Sequence, residues 1–538
     1  MKGVIIMKNE RILRFVCSFL TAIMLLSSLA ACAETKPSEE TTAAENNAET
    51  QTPVASIEET TSDPTLDAQG YLKDDLPEDL KFNDELTLLV WDDVEHEEFN
   101  IEYEKLSGDI VEQSLYDRNS KVEERLGLKL NFLRIIGNGS NIKSWNSYVG
   151  NSVSINAREF DIIAGYSISV AKNASSGYLY NMLDPECEYL NFEKPWWSEL
   201  LLEQATFGDN LYFASGDISR NALEMMYVCF VNTLLLEEYQ LQNPQEIVES
   251  GDWTYAKFIE MCQGVYKDTD GNGEKNCDKE SGDTFGYITY GTYADNWFYG
   301  CGATICEKSA DGTIIESPTF TGERVANTVD MLCDLFYSSN YGIYTEATYH
   351  QTAFGQGRSL FMTDRCRTSH KRLAADFDFS DFVIVPCPKY DKDQEKYITV
   401  MGNPFTLYAI AADIQNPKMA SAFIECFASE GYRIVTPTVF ELSLKTRYVD
   451  DPISARMYDL VKANITYDIG RIFSDDLIGQ ATFRKALAGN QVWGSVAKTA
   501  AARANPKAFC AKLPIKLLPL SSPFIITSSI ENASPFPI

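Results

Sequence analysis

Two groups of residues have the types and spacing to do chemistry. The first is an acidic loop, Asp268-Thr-Asp270-Gly-Asn272-Gly273-Glu274-Lys-Asn276-Cys-Asp278. Oxygen donors at positions 1, 3 and 5, with a glycine where the chain must turn sharply, resemble the start of a Ca²⁺ loop. Asp268, Asp270, Asn272, Glu274, Asn276 and Asp278 are the candidate ligands. Position 12 is Lys279, where a carboxylate is expected, so Asp278 or Asp283 must substitute after a local insertion. The alternative reading is an acidic, glycine-rich turn. A Ca²⁺ held here is structural, and no cofactor is required.

The second group follows predicted strands or sits in loops. It comprises the aromatic residues Trp91, Tyr166, Trp297 and Tyr299 and the polar residues Asp92, Asp93, Asp217, Asp364 and Asn403. Aromatic faces cover apolar C–H surfaces, while carboxylates and amides take paired hydroxyls. That combination suits a polyhydroxylated small molecule such as a sugar. For Trp91, Tyr166 and Trp297 two readings stand: a platform for a ligand, or packing within and between lobes. Trp196-Trp197 follow Pro195 and open a helix, which favours packing between elements. Trp253 precedes Thr254, an N-cap residue type, and reads as a structural anchor.

Catalytic constellations are scarce. The three histidines, His96, His350 and His370, form no zinc pattern, and His96-Glu-Glu-Phe lacks the second histidine of a metalloprotease helix. There is neither a Gly-rich phosphate loop nor a Gly-x-Ser-x-Gly elbow. Scattered Asp and Glu could form a glycosidase pair, as in any acidic chain. A net charge of -31 argues against nucleic acid, whose binding draws its affinity from Lys and Arg on phosphates.

The elements that must position these residues read as open α/β. Glu85–Trp91 is a nearly continuous apolar run, the pattern of a parallel strand buried on both faces. Ile110–Leu126 carries Val111, Leu115, Val122 and Leu126 at helical spacing, with Gly127 as a stop. Leu128–Phe132 and Phe160–Ala164 are further strands. A second α/β set follows, with strands at Met225–Val231, Phe285–Thr289, Ser359–Met362, Phe382–Val385 and Phe405–Ile410. Helices are expected at Thr254–Val265, Arg324–Tyr337 and Pro417–Ala428, then in most of the remainder to Ala504. With 45% hydrophobic and 12% aromatic residues, two cores can be filled.

The N-terminus sets the compartment. Lys8, Arg11 and Arg14 precede an apolar run, Phe15–Leu26, of 12 residues. A bilayer span needs roughly 20, so the run fits a signal-peptide core. Leu29-Ala-Ala-Cys32 resembles a bacterial lipobox, in which Cys32 carries the lipid. Residues 32–70, rich in Thr and Glu, cannot bury enough apolar area to offset chain entropy and read as a disordered tether. Setting aside Cys17 and Cys32, eleven of the 13 cysteines remain, an odd number that excludes a closed disulfide framework. Most sit in apolar runs. A local Cys301–Cys306 bridge stays open, and the many thiols suggest a reducing niche. Residues 511–538, with prolines at 514, 519, 523, 535 and 537, read as an atypical disordered tail.

Six stretches, in order, carry a resemblance: Tyr116–Gly127, Phe160–Ser167, Glu193–Trp197, Ser215–Ser219, Phe354–Met362 and Tyr432–Thr438. They resemble the extracellular solute-binding protein family 1 of ABC importers, the group that includes maltose-binding proteins, and within it a Firmicutes lipoprotein subgroup. The resemblance spans about Leu86 to Ala500. It implies two α/β lobes with a ligand cleft between them (a type II periplasmic-binding-protein-like fold) and crossing strands as the hinge. Lobe 1 would comprise 71–217 and 363–428, and lobe 2 would comprise 218–362 and a helical 429–510. The chain would cross near Ser215–Asn221, Met362–Arg365 and Ala428. The implied function is capture of a sugar or oligosaccharide by a lipid-anchored monomer on the outer face of the membrane, for delivery to ABC permease subunits. A secreted glycoside hydrolase and a ligand-sensing subunit of a membrane signalling system are the alternatives.

Overall fold

The computed structural model describes residues 65–92, 98–99, 108–278, 282–310, 312, 314–345, 348–369, 373, 381–439, 452–473 and 479–503. The signal segment, Cys32, the tether up to residue 64, Asp93, His96, Lys279, His370 and the tail lie outside the described residues. At the other end of the tether order begins earlier than expected. Leu66 bridges Leu72, and the Asp67 carboxylate accepts the amides of Gln69 and Tyr71, closing a turn at residues assigned above to the tether.

Lobe 1 is built on a sheet of β1 (Asp84–Trp91), β2 (Leu128–Ile135), β3 (Ile162–Tyr166) and β13 (Thr406–Ile410), in the order β13-β3-β1-β2. The first three are parallel and β13 is antiparallel to β3. Lobe 2 is built on β4 (Tyr227–Asn232), β5 (Tyr266–Lys267), β6 (Thr284–Thr289), β9 (Gly342–Tyr344), β10 (Ser359–Arg365) and β11 (Phe382–Val385). Their order is β11-β4-β10-β6-β5, with β9 beside β6. Two small pairs complete the strands: β7 (Cys306–Lys308) with β8 (Ile314–Glu316), and β12 (Thr399–Val400) with β14 (Ile465–Thr466).

Local sequence explains the lobe 1 frame. β1 lies between β2 and β3, so its Leu86, Leu88, Leu89 and Val90 are all buried. Each such side chain contributes about 1.5–3 kcal/mol through burial. The helix Ile110–Leu126 starts where Asp109 accepts the amides of Val111 and Glu112, and it stops at Gly127, whose φ of 60° is left-handed. Its buried Val111, Leu115, Val122 and Leu126 are the stripe expected from the spacing.

The chain first crosses between lobes at Ser215–Ser219. Ser215 Oγ donates to Thr406 O at 2.9 Å, and the Asp217 amide donates to Trp196 O at 2.8 Å. Gly216 has φ 154°, and a Cβ there would run into Trp196 O, so this turn accepts only glycine. The return differs from expectation. β10 continues to Arg365 within lobe 2, and β11 then pairs with β4 at 382–385. The chain therefore stays in lobe 2 until Met401–Phe405, where Gly402 N donates to Met225 O at 2.7 Å. The third crossing is also later than Ala428. The helix Pro417–Glu430 runs on as a π-helical turn, Gly431–Val435, still packed on the Ile110–Leu126 helix. The next described helix, Pro452–Ala463, packs on β11 in lobe 2.

Candidate functional site

Side chains at the strand ends of the two sheets form the candidate site. In lobe 1, β1 ends at Trp91 and β3 ends at Tyr166, with Thr406 opening the neighbouring β13. Trp91 Nε1 donates to Thr406 Oγ1 at 3.0 Å, and its ring lies 5.6 Å from that of Tyr166. Tyr166 stands at the N-cap position of the helix Ser167–Ser175, whose first hydroxyl donates to Asn403 O at 2.7 Å. Asn403 thus enters through its backbone, in the return crossing.

In lobe 2, Tyr227 opens β4 and is paired in register with Arg365 at the end of β10. Arg365 Nη2 donates to the Tyr293 hydroxyl at 2.9 Å, and its guanidinium sits 5.3 Å from that ring's centre. Asp295 opens the helix Asp295–Gly300 and receives two arginines. Arg471 Nη1 donates to Oδ2 at 2.9 Å, while Arg484 Nε and Nη2 bond the two oxygens at 2.8 and 2.6 Å. Arg471 also lies 5.8 Å from the Tyr227 ring and 5.4 Å from the Tyr299 ring. Burial pushes the Tyr166 hydroxyl up to about 12, against the downward pull of Arg471, Arg484 and Arg365, so the three lobe 2 arginines act on this lobe 1 side chain. The lobes also meet beside this site, where Phe207 and Phe213 pack on Phe473 and Lys308 Nζ donates to Thr206 O at 2.6 Å.

Several expected site residues lie elsewhere. Trp297 is fully buried in lobe 2: its indole donates to the Tyr287 hydroxyl at 2.7 Å, and its ring packs on Phe258 and Tyr255 at 4.8 Å each. The short helix after Gly291 turns it inward, so the indole is core. Tyr299 is buried beneath Arg471. Asp364 sends its carboxylate into the helix Tyr349–Gly355, accepting from Gln351 at 2.6 Å, with His350 Nε2 at 3.3 Å. Burial alone would raise that carboxyl, but His350, Arg365 and Gln351 together hold it below its usual range. Asp217 belongs to the hinge: it accepts Thr436 Oγ1 at 2.8 Å, and burial raises its carboxyl. Asp92 is exposed and pairs with Arg134 at 3.6 Å. Trp91 is itself 1% exposed, a wall of the site beneath Tyr166.

Trp196 and Trp197 pack as expected. Trp197 Nε1 donates to Glu425 at 3.2 Å, and the Trp196 ring packs tilted against Tyr432 at 5.9 Å. Trp253 is fully buried and donates to Pro386 O at 3.0 Å beside the Thr254 cap. The ten cysteines among the described residues are free thiols. Cys301 Sγ lies 3.0 Å from Phe298 O rather than bridging Cys306.

Arg365, Arg471, Arg484, Tyr227, Tyr293 and Asp295 had no local signal as a group. They lie on two strands and four helical segments spread from residue 227 to residue 484, and only Arg365 adjoins a residue singled out above. A separate groove of about 700 Å³ lies on lobe 1 between the helices Ile142–Ser154 and Ser167–Ser175. Its lining includes Lys143 and Lys172 and no carboxylate. Its rim at Gly139 adjoins Tyr166, since a Cβ there would stand 3.6 Å from the hydroxyl.

The acidic loop closes on itself. Asp268 accepts the amides of Gly271 and Gly273, Asp270 accepts Asn272 N, and Asn272 accepts Glu274 N. Asp283 accepts the amides of Thr269 and Asn276. Carboxylate oxygens of Asp268, Asp270 and Asp283 lie within 4.8 Å of one another, a spacing a single cation can bridge. Asp278 is outside this cluster, and its backbone oxygen is bound by Arg358.

No protein-family model matches the chain, and no curated protein matches it. Solved structures do. The GacH receptor of Streptomyces glaucescens GLA.O, solved unliganded and with acarbose and an acarbose homolog, is similar at 14% identity and a TM-score of 0.51 over 81% of this chain and 99% of that one. An ABC transporter solute-binding protein from Thermotoga lettingae TMO, bound with α-D-tagatose, is similar at 12% identity and a TM-score of 0.50 over 80% and 100%. The fold is the two-lobed α/β fold of periplasmic solute-binding proteins.

Proposed function

We propose that the chain is an ABC-importer solute-binding protein of family 1, from the Firmicutes lipoprotein subgroup, that captures a sugar or oligosaccharide between its lobes. The observation that carries this reading is the pair of α/β sheets joined by crossing segments. Ligands of open α/β sheets bind outside the carboxyl ends of strands, and hinge closure around the ligand is the motion such an architecture permits. Tyr166 supplies an aromatic edge from lobe 1, and the arginines and tyrosines of lobe 2 supply hydrogen-bond donors, which suits hydroxyl-rich ligands. The two solved relatives bound to acarbose and to tagatose support the carbohydrate class.

In this reading Cys32 carries the lipid, residues 32–64 hold the lobes away from the outer face of the membrane, and permease subunits receive the ligand. The chain acts as a monomer and performs no catalysis. A Ca²⁺ held by Asp268, Asp270 and Asp283 staples the loop after β5. The test of the main reading is a thermal-shift screen of the purified protein over a glycan and peptide library. Stabilisation by one or a few saccharides, with no product after prolonged incubation, is expected. Saccharide cleavage would show a hydrolase, and silence across all glycans would overturn the reading.

A further inference from the structure

We propose that the groove on lobe 1 between the helices Ile142–Ser154 and Ser167–Ser175 is a second saccharide subsite, which holds the far end of an oligosaccharide whose near end lies at Tyr166. The proposal rests on the binding-protein reading above and deepens it: the ligand is a chain of several sugar units, and its outer units bind on lobe 1 alone. The groove has a volume of about 700 Å³, within the roughly 300–1,000 Å³ usual for small-molecule sites. Its rim at Gly139 stands beside Tyr166, where a Cβ would be 3.6 Å from the hydroxyl. The groove therefore begins where the strand-end site stops. A monosaccharide at Tyr166 leaves it empty, and a longer chain fills both.

The helix Ile142–Ser154 has two faces. Trp145, Val149 and Val153 are buried in the lobe 1 core, while Lys143, Ser147, Asn151 and Ser154 line the groove. Those four lie three or four residues apart and form one stripe. A polar stripe alone is an ordinary solvated face, and the opposite wall sets this one apart. Gly150 sits mid-helix, where glycine costs about 0.5–1 kcal/mol relative to alanine. A Cβ there would come within 2.8 Å of Tyr178 Cε2 and 2.9 Å of Cζ, so the glycine lets the Tyr178 ring lie against the helix. Tyr178 thereby becomes a groove wall backed by the helix. Asn146, one turn before Gly150, also lines the groove, and its Oδ1 is buried and unpartnered. An acceptor left so costs about 1–3 kcal/mol, and a ligand hydroxyl that reaches it removes that cost. The lining holds no carboxylate, and its lysines, Lys143 and Lys172, are donors to sugar oxygens as well. An aromatic ring among amides and hydroxyls is the combination that packs sugar C–H surfaces and bonds their hydroxyls.

The experiment is calorimetry of the full chain with the disaccharide and hexasaccharide of three neutral series, the malto-, cello- and xylo-oligosaccharides, and of any further series that the thermal-shift screen returns. In the series that binds, the hexasaccharide should bind at least about tenfold tighter than the disaccharide. Ser147→Trp and Asn151→Trp each place an indole in the groove from an exposed position of the helix. Each variant, checked for folding by its melting curve, should lose most of that gain and keep the wild-type affinity for the disaccharide. Equal affinity for both lengths in the wild type overturns the subsite and leaves the binding-protein reading standing. A length gain that survives in a folded variant has the same meaning. Silence with every saccharide, in calorimetry and across the glycan screen, overturns both.

Discussion

Asp295 and Arg471 meet at 2.9 Å with side chains only 3% and 5% exposed, and the same carboxylate holds Arg484 from a different helix. The pair joins the start of the Asp295–Gly300 helix to the short helix Ile469–Ile472. Burial works against the charge on Arg471, and Asp295 together with Tyr299 and Tyr227 outweighs it. Asp295→Ala strands a buried guanidinium. It should lower unfolding free energy by about 3–5 kcal/mol, the cost of breaking a buried pair from one side. Urea denaturation of the variant measures this directly, and a loss under about 1 kcal/mol would show that water relieves the site.

Glu425 gives a pH dependence with a defined sign. Burial pushes its carboxyl up to about 8, while the Asn191 amide and Trp197 indole pull it back only in part. The folded state then keeps a proton that the unfolded state has released, so stability falls as pH rises from about 4.5 to about 8 and levels off above that. Glu425→Gln keeps an acceptor for both donors and has nothing to ionise. It should flatten this part of the profile and be the more stable protein at pH 8. Equal slopes in the two proteins would contradict the assignment.

The acidic loop predicts a metal effect. If Asp268, Asp270 and Asp283 hold Ca²⁺, EDTA should lower the melting temperature and added Ca²⁺ restore it. Ligand at a hundredfold excess over Kd contributes about 2.7 kcal/mol by mass action. Asp270→Ala should abolish the response. An unchanged melting curve, with no metal by elemental analysis, would leave an acidic turn.

Removing Trp297 tests its place in the core. The indole is fully buried between Tyr255, Phe258 and Tyr287. Trp297→Ala should cost about 3–5 kcal/mol of stability. A folded, undiminished variant with weakened sugar binding would return this residue to the cleft.

The lipid anchor is tested at Cys32. The wild-type protein should sediment with membranes, and Cys32→Ala should appear in the medium. Membrane retention of the variant would sink the lipoprotein reading.

Patterns local to one element were legible in the sequence. β1 is a buried parallel strand because five of its residues, Leu86, Leu88, Leu89, Val90 and Trp91, are apolar in near succession, and the helix after it stops at Gly127. The two-sheet architecture followed from the order of such elements. What the sequence could not decide was which way a side chain points once strands pair and helices dock. Trp297 and Tyr166 are both aromatics singled out by position, yet one docks into a core of rings and the other stands at the end of β3 against Trp91. Asp283 joins Asp268 across 15 residues because β6 begins there and carries it back to the loop. The return crossing lies at Met401–Phe405 rather than at Arg365 because β11 pairs with β4 before the chain leaves lobe 2. Arg365, Arg471 and Arg484 converge only through tertiary packing. Charge attraction depends on distance in space, and residues scattered from β10 to the last helices leave no trace of that distance in their spacing along the chain.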